Sequence, residues 1–128
     1  MAKKILVVDD DVDVLRLLGT RLRPNGYEVV FATDGISCMR KLRSESPDLI
    51  ILDLGLPAGD GFVTLDRLRN QPDFAHVPVL VLTASEEPNA EDRTRSLGAA
   101  AFLRKPVDWE ELIATVWRWA DAPVAEGA

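Results

Sequence analysis

The chain has 128 residues, of which 47% are hydrophobic and 28% charged, with a net charge of −6. That length suits one domain with a substantial core, and the acidic balance argues against nucleic acid as a direct partner. A single cysteine, Cys38, excludes an internal disulfide and fits a reducing compartment, while no apolar run reaches membrane-spanning length and the N-terminus lacks the shape of a signal peptide. A cytoplasmic location with no membrane contact is the expectation.

Taken in order, the chain opens with Lys3-Lys4 and an apolar run, Ile5-Leu6-Val7-Val8, that ends in Asp9-Asp10-Asp11. A short continuous apolar run bounded by polar turn residues reads as a strand buried on both faces. From Val12 the pattern becomes helical, with Leu15, Leu18 and Leu22 on one face, until Pro24-Asn25-Gly26 stops it. A second strand is expected over Tyr27 to Ala32. Thr33-Asp34-Gly35 then turns into a helix carrying Ile36, Met39 and Leu42.

Pro47-Asp48 feeds the third strand, Leu49-Ile-Ile-Leu52, which runs straight into Asp53 and a loop rich in glycine and proline. Asp53 is therefore expected at the carboxyl edge of a parallel sheet, where open α/β sheets bind ligands. Phe62, Leu65 and Leu68 mark a third helix, and Asp60 is suited to cap its start. Val77 to Leu82 reads as the fourth strand, with Pro78 tolerable near its beginning. It ends in Thr83-Ala84-Ser85. A weak, polar helix follows over Asn89 to Leu97, then a fifth strand over Ala99 to Leu103 that closes on Arg104-Lys105-Pro106. The last helix is expected at Asp108 to Ala120. The domain is placed at 1–120, with 121–128 a short tail.

Five strands alternating with five helices imply a parallel sheet covered on both faces, a flavodoxin-like (βα)5 three-layer sandwich. The favoured strand order is 2-1-3-4-5, which puts the switch point between the strands ending in Asp9-Asp10 and in Asp53. Thr83 and Lys105 should arrive at the same edge. Crowded carboxylates repel one another and call for a cation. An all-oxygen site that keeps waters suits Mg2+ better than Ca2+, and with His76 the only histidine and Cys38 the only cysteine, a zinc site is excluded. A carboxylate such as Asp53 is a competent nucleophile toward phosphorus. Lys105 and the Thr83 hydroxyl could then neutralise and hold phosphoryl oxygens.

The motifs Val7-Val8-Asp9-Asp10, Leu52-Asp53 with Leu56-Pro57 and Asp60-Gly61, Leu82-Thr83-Ala84, and Arg104-Lys105-Pro106 resemble those of the receiver domains of two-component response regulators. The resemblance covers about Lys3 to Ala120, and four motifs in order at alternate strand ends are highly specific. The chemotaxis member of that family is itself a standard instance of the 2-1-3-4-5 order, so the expected topology is not independent of the resemblance. It implies that Asp53 accepts phosphate from a histidine kinase or histidine phosphotransfer protein. It implies that Asp10, Asp53 and the Gly55 carbonyl ligate Mg2+, with Asp9 acting largely through water. Thr83 and Lys105 would contact the phosphoryl group, Phe102 would occupy the aromatic switch position, and Lys105-Pro106 would be a cis peptide. Such a domain is no conventional enzyme, since it catalyses only its own phosphorylation and dephosphorylation.

Plainer readings stand beside these. Asp9 and Asp10 also suit a helix start, where the dipole favours acids, and Asp11 is assigned to that role. Thr83 could be an ordinary strand-end residue, Lys105 a surface lysine and Phe102 a core aromatic, while His76 and Cys38 read as structural. Gly55 and Ser85 are small and should leave water access to the cleft, and Ala99-Ala100-Ala101 is blander than the family pattern. A flavin carrier would need a phosphate cradle where Asp9-Asp10-Asp11 stands. A haloacid-dehalogenase-type phosphatase would want an acid where Gly55 stands. The remaining alternative is a phosphorylation-independent pseudo-receiver, which predicts a missing acceptor, acidic pair or lysine. A stand-alone regulator, a phosphate shuttle and one domain of a longer protein all fit the sequence.

All three tryptophans, Trp109, Trp117 and Trp119, fall in the final helix. With Leu112, Ile113, Val116 and Ala120 they span an arc of roughly 160°, so Trp117 or Trp119 is expected to stay partly exposed at its edges. A partner or homodimer contact is accordingly expected on the face of the fourth and fifth helices and the fifth strand.

Overall fold

Each of the five apolar runs becomes a strand: β1 (Lys4–Val8), β2 (Glu28–Ala32), β3 (Leu49–Leu52), β4 (Val79–Thr83) and β5 (Ala101–Arg104). They form one sheet of order β2-β1-β3-β4-β5, and every neighbouring pair is parallel. Five helices connect and cover it: α1 (Val12–Leu22), α2 (Gly35–Glu45), α3 (Asp60–Arg69), α4 (Ala90–Ser96) and α5 (Trp109–Ala120). The computed structural model describes residues 2–56 and 60–121, the side chain of Asp60 excepted. Pro57 of the third-strand motif, the capping role assigned to Asp60 and the tail at 122–128 lie outside the described residues.

Strand side chains alternate between faces, and the two cores divide accordingly. Leu6, Val8, Ile50, Leu52, Val79 and Val81 face α2 and α3, where Cys38, Met39, Leu42, Leu65 and Leu68 meet them, with Ala90 of α4 alongside. Ile5, Val7, Leu49, Ile51, Leu80 and Leu82 face Leu15, Leu18 and Leu22 of α1 and Leu112 and Val116 of α5. Each fully buried Leu or Ile side chain contributes about 1.5–3 kcal/mol relative to exposure. That is why uninterrupted apolar runs end up in the middle of the sheet.

Helix starts are fixed locally. Asp11 caps α1, its carboxylate accepting from the amides of Asp13 and Val14. Asp34 and Ser37 form a reciprocal capping box at α2, and Asp108 accepts from the Glu111 amide at α5. Gly61 lets α3 lie directly on the turn after β3, since a Cβ there would stand 2.3 Å from the Leu54 backbone.

Strand boundaries depart from expectation where the ladder claims different amides. β2 begins at Glu28, not Tyr27, because the Glu28 amide is the first to bond across to β1, at the Lys3 carbonyl. β4 begins at Val79; Pro78 has no amide to give and supplies only its carbonyl, to Ile50, at 3.0 Å. β5 runs from Ala101, two residues later than expected: the Ala99 amide closes the end of α4 on the Thr94 carbonyl, and the Ala100 amide makes the first bond across to β4, at the Val79 carbonyl.

Candidate functional site

The register of the sheet builds the site. Val8 and Leu52 are partners across β1 and β3, so the next residues, Asp9 and Asp53, emerge side by side. Their backbones stay in the ladder for one more step, with the Asp53 amide donating to the Val8 carbonyl and the Asp9 amide to Ala32. Both carboxylates are therefore held from beneath by the centre of the sheet. Asp9 is 3% exposed and Asp53 8%, while Asp10 stands open to solvent. One oxygen from each of Asp9, Asp10 and Asp53 lies within 4.8 Å of the others.

Lys105 enters from the end of β5, its amide donating to the Thr83 carbonyl and its peptide to Pro106 cis. The ammonium lies 2.7 Å from Asp9 Oδ2 and 3.5 Å from Asp53 Oδ2. The second Asp9 oxygen accepts the Asp11 amide at 2.9 Å, so both of its oxygens are engaged. Burial pushes the Asp9 carboxyl above the usual range, and the Asp53 charge adds to this, against the opposing bonds from Lys105 and Asp11. Burial alone would lower the Lys105 ammonium, but the bond to Asp9 and the charges of Asp53 and Asp9 outweigh it and hold Lys105 above its ordinary value. It stays charged. Thr83 is 1% exposed, and its hydroxyl oxygen accepts the Ser85 amide at 3.1 Å, leaving the hydroxyl proton uncommitted among the described residues.

A model of the response regulator receiver domain matches residues 5–117. The chain belongs to the response regulator receiver domain family. This receiver is 40% identical over 116 residues to the alkaline phosphatase synthesis transcriptional regulatory protein PhoP of Bacillus subtilis, covering 91% of this chain and 48% of PhoP. The chain thus spans about half the length of that curated relative. Among solved structures, the chemotaxis response regulator CheY4 of Vibrio cholerae superposes with a TM-score of 0.84 at 31% identity, covering 92% of this chain and 98% of that one. The Mn(2+)-bound form of response regulator Rcp1 superposes with a TM-score of 0.82 at 27% identity, covering 98% and 99%. The five-stranded order and the five helices are those of the CheY-like flavodoxin fold.

Of the other residues singled out in the receiver's sequence, Gly55 lies at the cleft, while Cys38 belongs to the α2–α3 core and His76 precedes β4. Gly55 is exposed, and its amide donates to Asp53 Oδ1 at 3.1 Å. A Cβ there would come 3.4 Å from Asp53 Oδ2, so the glycine keeps that side of the carboxylate open. Phe102 is half-buried, packed against the α2–α3 core. His76 sits exposed before β4, and Cys38 is fully buried, its thiol pushed up to about 12 by burial and then by the nearby Asp34 charge.

Two arginines were missed by sequence reasoning. The Arg104 guanidinium donates to the Ser85 carbonyl at 3.1 Å and lies 5.0 Å from the Phe102 ring centroid. The two-residue spacing of Phe102 and Arg104, which puts both on one face of a strand, is the signal that could have found it. Arg69 is half-buried and donates to the carbonyls of Phe74, Ala75 and Val77, pinning the chain that leads into β4. Nothing in its local sequence marks it.

Proposed function

We propose that Asp53 is the phosphoacceptor of this receiver, loaded from a phosphohistidine of a histidine kinase or phosphotransfer protein in the cytoplasm with Mg2+ as cofactor. The observation that carries this is the meeting of Asp9, Asp10, Asp53 and Lys105 at one sheet edge from positions far apart in sequence. Three carboxylates against one ammonium leave a net double negative charge, all donors are oxygen, and a hard divalent cation fits that set. Asp10, Asp53 and the Gly55 carbonyl would hold it, and Asp9, with both oxygens engaged, would act through water. When bound, Mg2+ neutralises the charge that otherwise repels a phosphoryl group. That response regulator Rcp1 has a Mn(2+)-bound form supports a divalent cation as a ligand of this receiver.

In the transfer, one Asp53 oxygen bonds to phosphorus as the bond from phosphorus to the donor imidazole nitrogen breaks. The electron pair leaves with the imidazole, which takes up a proton. The Gly55 amide fixes the Asp53 carboxylate from one side. Lys105, already 3.5 Å from Asp53 Oδ2, is positioned to neutralise a phosphoryl oxygen, and the uncommitted Thr83 proton to bond another. Water attack on phosphorus breaks its bond to the Asp53 oxygen, returning the carboxylate and releasing inorganic phosphate, and the small side of the cleft at Gly55 admits that water. The output would pass through Thr83 and Phe102 to a partner or a second copy at the α4–β5–α5 face; Trp117 (54% exposed) and Trp119 (42%), at opposite margins of the apolar arc of α5, are both open to solvent.

A pseudo-receiver would lack the acceptor, an acidic partner or the lysine, and this chain has all of them. Acetyl phosphate with Mg2+ should add one acid- and base-labile phosphoryl group, detected by intact mass, and Asp53→Asn should abolish it. Equal labelling of Asp53→Asn would refute the assignment.

A further inference from the structure

The chain carries eleven arginines. Among the described residues eight have a bonding or stacking partner: for example, Arg93 and Arg95 pair with glutamates, Arg69 and Arg104 bind backbone carbonyls, and Arg21 lies over Trp109. The other three, Arg40, Arg43 and Arg67, have none among those residues, and all three line one groove between α2 and α3. The groove encloses about 700 Å³, is lined by Ile36 and Met39 beside the arginines, and has no carboxylate among the described residues of its lining. Asp34, at the head of α2, feels the charge of Arg40 without forming an ion pair with it. Ile36 is 71% exposed, the most open large apolar side chain of the described residues.

These features sit poorly with a merely solvated surface. Three guanidiniums with no bonding partner among the described residues share a groove in a chain of net charge −6, so the rest of the chain carries nine net negative charges. Guanidiniums gathered without a counter-charge repel one another, and each gains most from a bidentate carboxylate or phosphate. The exposed isoleucine gains from an aliphatic side chain laid over it.

We propose that the α2–α3 groove docks an acidic segment of a protein partner, which seats an aliphatic side chain on Ile36 and Met39 and places carboxylates among Arg40, Arg43 and Arg67. A protein is favoured over nucleic acid or a lipid surface for two reasons. Part of the lining is apolar, and beyond the groove the strongly negative remainder repels an extended polyanion. The groove shares no residue with the carboxylate cleft, so docking stands or falls apart from phosphorylation of Asp53.

The test is fluorescence anisotropy on the full chain with a short labelled peptide of alternating glutamate and leucine. A single-stranded oligonucleotide and phosphatidylserine vesicles serve as competing probes. Binding should weaken about tenfold as salt rises from low levels to ~0.3 M. Arg40→Glu/Arg43→Glu/Arg67→Glu should cut affinity at least thirtyfold, and Ile36→Ser about threefold or more. Retained far-UV circular dichroism and retained labelling by acetyl phosphate establish that the variants fold; should the glutamate variant fail to fold, the triple glutamine variant replaces it. The proposal is overturned by no peptide binding at millimolar concentration, by equal binding to the folded triple variant, or by tighter binding of the oligonucleotide or vesicles than of the peptide.

Discussion

β3 and β5 deliver chemistry to the same sheet edge from opposite circumstances. β3 is central, hydrogen-bonded on both sides, with all four residues buried, and it ends on Asp53. β5 lies at the end of the sheet and pairs only with β4; Ala101, Phe102 and Leu103 are half-buried, Arg104 is exposed, and Lys105 follows. The acidic half of the cleft is anchored in the most buried part of the molecule, and the basic half hangs on its least buried strand. The acceptor role proposed for Asp53 requires a position kept through loading and discharge, whereas the groups proposed to sense the new charge must respond to it. Placing the two on strands of unequal burial serves both needs, since local opening is cheapest where buried apolar contacts are few.

The largest test of that contrast is mechanical. Ile51→Ala should cost about 2–5 kcal/mol in urea unfolding, and Leu103→Ala less than half as much, because only the first leaves a closed cavity. Equal losses would break the contrast. Asp10→Ala should weaken Mg2+ binding at least tenfold by titration calorimetry, about 1.4 kcal/mol. The same change should raise the melting temperature of the metal-free protein, since one of three crowded carboxylates is gone. Unchanged affinity would remove Asp10 from the ligand set.

Cys38 probes the rigid side at high pH. Its folded thiol, at about 12, lies above the unfolded value near 8.5, so the neutral thiol's contribution is complete below ~8.5 and is lost as pH rises toward 12. Cys38→Ala should flatten the fall in stability across that window, and a thiol reagent at pH 8 should label the native protein only as fast as it opens. Rapid labelling of native protein would show that α2 is not closed over the thiol. The smallest expected effect is optical. Beryllofluoride should shift tryptophan emission from α5, and Thr83→Ala should blunt the shift. An unchanged spectrum with proven ligand binding would leave the edge strand silent.

Asp9, Asp10 and Asp53 could be read from the chain because they follow runs whose burial is dictated by their own composition, and Lys105 because it follows the last short apolar run beside Pro106. Exposure of Trp117 or Trp119 was legible too, since helical angle alone puts them at the margins of the apolar arc; that both are open goes further than that reading. What stayed hidden depends on partners distant in sequence. Lys105 bonds Asp9 more closely than Asp53, which follows from where the end of β5 arrives, not from any local pattern. The start of β5 depends on which carbonyls claim the amides of Ala99 and Ala100, and Arg69 declares itself only once three carbonyls surround it.

The guanidinium of Arg104 joins the loop after β4 to an aromatic side chain of β5. Had Ser85 and Phe102 two positions each and no tie between them, the pair would populate four combinations. A shared bond worth about 1 kcal/mol depletes the two mixed combinations roughly fivefold. The loop and the ring then behave closer to a single binary variable than to two independent ones. A signal arriving at Thr83, the route proposed above, would in that sense be rounded to one of two values before it reached the surface.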